Sequence, residues 1–246
     1  SGLPSAAPGA ILPLVGNDLG QEPSMNAREG DYFAAARRRM VEDQLRGRDI
    51  VDCRVLEAMG RVPRERFVPD DVQDEAYDDH PLPIGLGQTI SQPYIVALMT
   101  QLAQPSPECR VLEVGSGSGY QAAVLAELCG EVYGLEIHRA LAEASAARLA
   151  ALGYRNVTIR CGDGYLGWPE HAPFDAIVVA AAPVEVPRRL VEQLAPAGRL
   201  IIPVGRHYQE LLLIVKRRDG TLDRSSIAPV QFVTMTGKVE QDEDFE

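Results

Sequence analysis

Between residues 110 and 204 five short apolar runs, RVLEV, EVYGLEI, VTIRC, FDAIVVAA and GRLIIPV, alternate with helical patterns such as YQAAVLAEL, ALAEASAARLAAL and PRRLVEQL. Strands that alternate with helices at this spacing form a parallel sheet covered on both faces. The alternation therefore calls for a doubly wound α/β fold, a mostly parallel sheet between two layers of helices. ELLLIVKRR and the stretch around Val230–Met235 follow with no helix between them, so the sheet is expected to finish in antiparallel strands.

Ahead of this unit the texture is different. From Asp31, YFAAARRRMVEDQL puts Phe33, Met40 and Leu45 near one helical face, and Gly47 marks its end. A second helix is expected over Cys53–Met59. In RVPRERFVP the two prolines predict an extended loop, and LPIGLGQTISQP reads as loop until a helix begins at Pro93. A chain of 246 residues, 46% of them hydrophobic, can bury one sizeable core. The reading is a single domain over residues 29–240, with helices and site-forming loops in 29–104 and the sheet in 105–240. Residues 1–28 are expected to be a flexible extension, with no basic start or unbroken apolar run to make a signal peptide, and residues 241–246 an acidic tail.

Charge and cysteine usage remove several classes of function. A formal net charge of −11 repels phosphate backbones, so no nucleic-acid partner is expected. Cys53, Cys109, Cys129 and Cys161 form no C-x-x-C pair, and the four histidines share no metal spacing, which predicts reduced thiols in a cytoplasmic protein without a metal. No apolar stretch reaches the length of a membrane span.

The chemistry is expected in the turn VLEVGSGSG at 111–119. A glycine turn after the first strand lies at the edge of the sheet where such folds bind ligands, although taken alone it fits any tight strand-to-helix connection. Glu136 ends the next strand 21 residues beyond Gly115, the position from which a carboxylate holds both ribose hydroxyls. Dinucleotide folds use G-x-G-x-x-G so that a helix N-terminus can meet a pyrophosphate. Here the spacing is Gly115, Gly117, Gly119, with Glu113 in front. A carboxylate repels a pyrophosphate and attracts an ammonium or a sulfonium, which matches S-adenosylmethionine better than a nicotinamide dinucleotide. The plainer alternative for Glu113 is an exposed strand end. In CGDG at 161–164, Asp163 is either an acceptor for the adenine amine or an ordinary Asp-Gly turn residue. AAAP at 180–183 lacks the aromatic, proline-rich segment used by base-modifying methyltransferases. Ser91, two residues before Pro93, reads either as a site hydroxyl or as an ordinary helix N-cap.

VPRERFVP, LPIGLGQTISQP, VLEVGSGSGY, CGDG, PFDAIVVAAAP and LAPAGRLIIPVG occur in this order, and GQTISQP is close to diagnostic. With these segments the chain from about Arg37 to Glu240 resembles the protein-L-isoaspartate (D-aspartate) O-methyltransferases, and most of all their bacterial branch. The resemblance implies a Rossmann-like methyltransferase sheet, S-adenosyl-L-methionine as cofactor and S-adenosyl-L-homocysteine as product. The implied substrates are isoaspartyl-containing proteins and peptides, with D-aspartyl residues methylated weakly. The ester then closes to a succinimide, which returns part of the damage to aspartate. Carried over residue by residue, Ser91 is the active-site hydroxyl, with Gln88, Thr89 and Ile90 beside it on the cofactor side. Further cofactor contacts are implied for Glu113, Val114, Gly115, Ser116, Gly117, Gly119, Glu136, Ile137, Gly162 and Asp163, with Thr236 and Gln241 closing the site. Pro83, Ile84, Gly85, Leu86 and Val204 are implied on the substrate side, in a monomer with no membrane or nucleic-acid partner. Three rival readings share parts of this pattern. A nicotinamide oxidoreductase needs the other glycine spacing, and a non-catalytic module would lack TISQP or the ribose carboxylate, whereas a relative dedicated to one modified peptide shares every motif.

Overall fold

The computed structural model describes Gly2 and residues 25–237. Most of the expected extension, the acidic tail and Gln241 therefore lie outside the described residues. Helix α1 (Met25–Arg39) begins inside the stretch assigned to the extension and runs directly into a π-helical segment, Met40–Arg46. The expected face holds: Phe33, Met40 and Leu45 are all buried. Helix α2 (Cys53–Arg61) starts at Asp52, whose side chain accepts the Arg54 N–H. Residues Arg64–Phe67 form a 3-10 turn where an extended loop was expected. The sequence offers the reason afterwards: Pro63 stands just before the turn, where it removes no needed N–H, and its carbonyl accepts from Arg66 at 2.9 Å.

LPIGLGQTI is not loop but a hairpin, β1 (Leu82–Gly85) and β2 (Gln88–Ile90), antiparallel with Leu82 opposite Ile90. Its two turn residues, Leu86 and Gly87, both have positive φ (53° and 71°), the conformation that lets a two-residue loop match the twist of its strands. Helix α3 (Pro93–Ala103) then leads to β3 (Arg110–Val114), α4 (Tyr120–Ala126), β4 (Glu131–Glu136), α5 (Arg139–Ala151), β5 (Val157–Cys161), β6 (Phe174–Val179), the short α6 (Arg188–Glu192), β7 (Leu194–Val204), β8 (Gln209–Lys216) and β9 (Leu222–Val230).

The seven-stranded sheet runs in the order β5-β4-β3-β6-β7-β8-β9, parallel as far as β7 and antiparallel from β7 onward. In β3 and β6 alternate residues feed two separate cores. Val111, Ala176 and Val178 face α2, α3 and α4, whereas Leu112, Val114, Ile177 and Val179 face Trp168, Leu190 and Met235. Because the chain leaves β3 toward β4 and later returns to its other flank as β6, the loops after β3 and β6 part and leave a crevice at their C-terminal ends.

The last expected strand sits elsewhere than Val230–Met235. Strand β9 ends at Val230, and residues 231–235 fold back over the C-terminal edge of the sheet instead. Ala182 exchanges two hydrogen bonds with them, its N–H to the Val233 carbonyl and its carbonyl from the Met235 N–H, both 2.8 Å. Gln209 satisfies Phe232 in place of a strand partner, accepting its N–H at 2.6 Å and donating to its carbonyl at 3.1 Å.

Candidate active site

The crevice after β3 and β6 holds a cavity lined by the ends of β3 and β4, the turn that follows β3, β2 and residues 233–236. Its floor is the glycine turn. The Gly115 and Ser116 N–H groups both donate to the Leu135 carbonyl, at 2.8 and 3.1 Å, which ties the turn to β4. Gly117 has φ +50°, and a Cβ there would stand 3.1 Å from Ile84 Cδ1 of β1. The hairpin therefore lies directly on the turn, and a side chain fits between them neither conformationally nor in volume.

Glu136 ends β4 and is 4% exposed. One carboxylate oxygen accepts the Gly117 N–H (2.8 Å) and the other the His138 N–H (2.9 Å). Each oxygen keeps a second lone pair, so the group can hold the turn and still accept two ligand hydroxyls.

Glu113 is 1% exposed, which excludes the exposed strand-end alternative. It lines the cavity, and its Oε2 has no hydrogen-bond partner; the neighbouring Ser116 Oγ has none either. Burial pushes the Glu113 carboxyl up to about 7 and the nearby Glu136 carboxylate adds to this, while the Ala122 N–H in the first turn of α4 pulls the other way. An orphaned buried carboxyl beside a glycine floor is what a cationic ligand would complete, so the residues present fit S-adenosylmethionine.

Ser91 follows β2 and precedes α3. The N-cap of α3 is Gln92, with no side-chain capping bond, so the N-cap alternative for Ser91 does not hold. Its carbonyl accepts from Arg64 Nη2 at 2.8 Å. Ser91 lines this cavity and also a second groove of about 700 Å³ formed with Pro81, Gln92, Ile95 and residues 229–233. Thr89, Ser91, Ala180 and Val233 line both spaces, so the two meet there.

Of the other residues singled out in the sequence, Gln88, Thr89, Ile90, Val114, Gly115, Ser116, Gly117, Ile137, Gly162 and Thr236 also line the cavity. Gly119 instead gives close packing, since a Cβ there would meet Ser145 and Leu149 of α5. Asp163 does not line the cavity although Gly162 and Gly164 do; its Oδ1 accepts the Tyr165 N–H at 2.9 Å. Ile84 touches the glycine turn, but Pro83, Gly85, Leu86 and Val204 line neither space. A wall residue that sequence reasoning passed over is Met235, because its segment reads as strand. Among the described residues the only metal-type cluster is Glu75, Asp78 and His80, all exposed and outside the cavity.

Comparison with known proteins agrees with this arrangement. The family model described as protein-L-isoaspartate(D-aspartate) O-methyltransferase matches residues 35–240. A protein-L-isoaspartate O-methyltransferase from Synechococcus sp. is 57% identical over 213 residues, covering 83% of this chain and 87% of the relative. One from Syntrophobacter fumaroxidans is 54% identical over 240 residues, covering 93% and 97%. Among solved structures, a protein-L-isoaspartate O-methyltransferase superimposes with a TM-score of 0.75 at 30% identity, covering 82% of this chain and 66% of its own. A Plasmodium falciparum structure of the same description, in complex with S-adenosyl-L-homocysteine, gives 0.70 at 29% identity, covering 81% and 98%. The chain belongs to the protein-L-isoaspartate (D-aspartate) O-methyltransferase family.

Proposed function

We propose that this chain methylates the free α-carboxylate of L-isoaspartyl residues, and weakly the side-chain carboxylate of D-aspartyl residues, in damaged proteins, with Ser91 aligning the carboxylate. The observation that carries the assignment of Ser91 is its place at the junction of the two spaces, with the glycine floor on one side and the open groove on the other. When bound, S-adenosylmethionine supplies a methyl group on a sulfonium, whose electron pair returns to sulfur as S-adenosylhomocysteine leaves. The chain's own residues have a limited task. A carboxylate with a reference pKa of about 4 is already ionised, so no base is needed. Glu113 meets the positive charge, Glu136 the ribose, and Gly162 and Gly164 keep the loop after β5 close. Ser91 orients the attacking oxygen, and the hairpin lying on Gly117 keeps water away from it. Pro83, Gly85, Leu86 and Val204 are assigned to peptide segments farther from the reacting carboxylate. No helix among the described residues is long and apolar enough to cross a membrane, and the four cysteines are unbridged. With the unbridged cysteines, the charge of −11 favours a cytoplasmic protein that acts on proteins rather than on nucleic acid.

An isoaspartyl residue carries its free carboxylate on a stem one methylene shorter than that of aspartate, and misplacement by about 1 Å costs on the order of a hundredfold in rate. Matched isoaspartyl and aspartyl peptides offered with labelled S-adenosylmethionine should differ by at least that factor, and the ester should decay through succinimide. Equal labelling of the two peptides would remove the repair assignment.

A further inference from the structure

Arg64 is fully buried, yet none of its partners is a carboxylate. Its Nε donates to the Ala76 carbonyl at 2.6 Å and its Nη2 to the Ser91 carbonyl at 2.8 Å. The guanidinium carbon lies 4.8 Å from the centre of the Tyr120 ring, and Nη1 has no partner. Burial draws the group down to about 10, which still leaves it a cation at neutral pH. For the fold alone this is an expensive choice, because an apolar side chain of the same volume fills such a space at lower cost.

The three things Arg64 touches are informative. Ala76 closes the 3-10 segment Asp70–Glu75 that leads toward the hairpin. Ser91 lies outside both β2 and α3, so no ladder or helical hydrogen bond fixes it. Tyr120 opens α4 immediately after the glycine turn and forms part of the cofactor cavity wall. A planar fork with two donors in fixed relation can tie two carbonyls at once while its face rests on a ring, and a lysine ammonium cannot.

We propose that Arg64 is a positioning residue for methyl transfer: its fork fixes the Ser91 main chain relative to the cofactor cavity, with Tyr120 as the rest for its plane. The inference depends on the reading of Ser91 as the residue that aligns the substrate carboxylate. It assigns Arg64 no contact with substrate or cofactor.

The test is a kinetic cycle with Arg64→Lys, Arg64→Met, Ser91→Ala and the two double variants, each first checked for folding by its calorimetric affinity for S-adenosylhomocysteine. Both Arg64 variants should keep that affinity within about threefold and the KM for S-adenosylmethionine unchanged. In kcat, Arg64→Lys should lose roughly tenfold and Arg64→Met about a hundredfold. Each double variant should lose about what Ser91→Ala loses alone, because residues acting through one another are not additive. Parental kcat in Arg64→Met beside an impaired Ser91→Ala overturns the inference and leaves the Ser91 reading standing. Fully additive losses overturn it too. So does failure of both Arg64 variants to bind S-adenosylhomocysteine, which would assign the residue to the fold alone. Parental activity in Ser91→Ala would instead remove the Ser91 reading, and the inference with it.

Discussion

In the turn after β3 the surface offered to a ligand is main chain: glycines at positive φ, their N–H groups anchored on the Leu135 carbonyl and the Glu136 carboxylate. Around Ser91 the arrangement is reversed. There the main chain is irregular, and a side chain from another segment, Arg64, holds it by its carbonyl. The first region encodes its shape locally, in which residues are glycine. The second encodes it at a distance, through 27 residues of separation between donor and acceptor. Damage to the two should therefore register in different measurements, binding for the turn and turnover for the Ser91 segment.

The largest effect is expected where the two regions touch. Gly117→Val strains a left-handed position and drives a branched side chain against Ile84, costs of roughly 4 kcal/mol that fall on the fold itself. Because Gly117 lines the cavity, the new side chain also takes ligand space, so binding of S-adenosylhomocysteine should be lost. Titration calorimetry on folded protein checks this, and tight binding by the variant would mean that the turn is not the cofactor floor. Next comes Ser91→Ala, expected to lower kcat by about a hundredfold while leaving cofactor affinity intact. Its melting temperature should move by no more than about 2 °C, because no capping bond is lost. A variant that melts several degrees early but turns over normally would make the segment a structural element after all.

The smallest effect sharpens the contrast inside the turn region itself. With the Glu113 carboxyl near 7, a cationic ligand should bind better once the group is ionised, so affinity for S-adenosylmethionine should rise about eightfold from pH 6 to 7.5. The sign is opposite for the stability of the ligand-free protein. The folded state keeps the proton that the unfolded chain loses near 4.5, so this contribution is complete below 4.5 and disappears as pH rises through 7. Glu113→Gln should flatten both profiles, and an unchanged pH dependence of binding in that variant would place the titrating group elsewhere.

The contrast between local and distant encoding also explains what the sequence made legible. The five parallel strands, the glycine turn and the placement of Glu113 and Glu136 follow from periodicity and spacing, because each is fixed by residues within a few positions of itself. The hairpin at Leu82–Ile90 was read as loop since its Pro and Gly content masks the pairing, and the Leu86-Gly87 turn shows its type only through backbone angles. Residues 231–235 were expected as strand for the opposite reason: an apolar run suits a sheet, but Gln209 and Ala182 take their hydrogen bonds first. Arg64 was invisible for a different reason. In VPRERFVP nothing distinguishes it from Arg66, and only the fold makes one of them fully buried.

The crossing of residues 231–236 over the end of the sheet has a consequence for biosynthesis. Val233, Thr234, Met235 and Thr236 complete the cavity wall, and they follow every strand in the chain. During vectorial synthesis the described strands and Ser91 are made before these four residues emerge, so a nascent chain carries the glycine turn and Ser91 while the ligand space still lacks one wall. A ligand that needs this wall therefore binds only after residues 233–236 have emerged and crossed the sheet, so binding reports that crossing rather than the folding of the sheet alone.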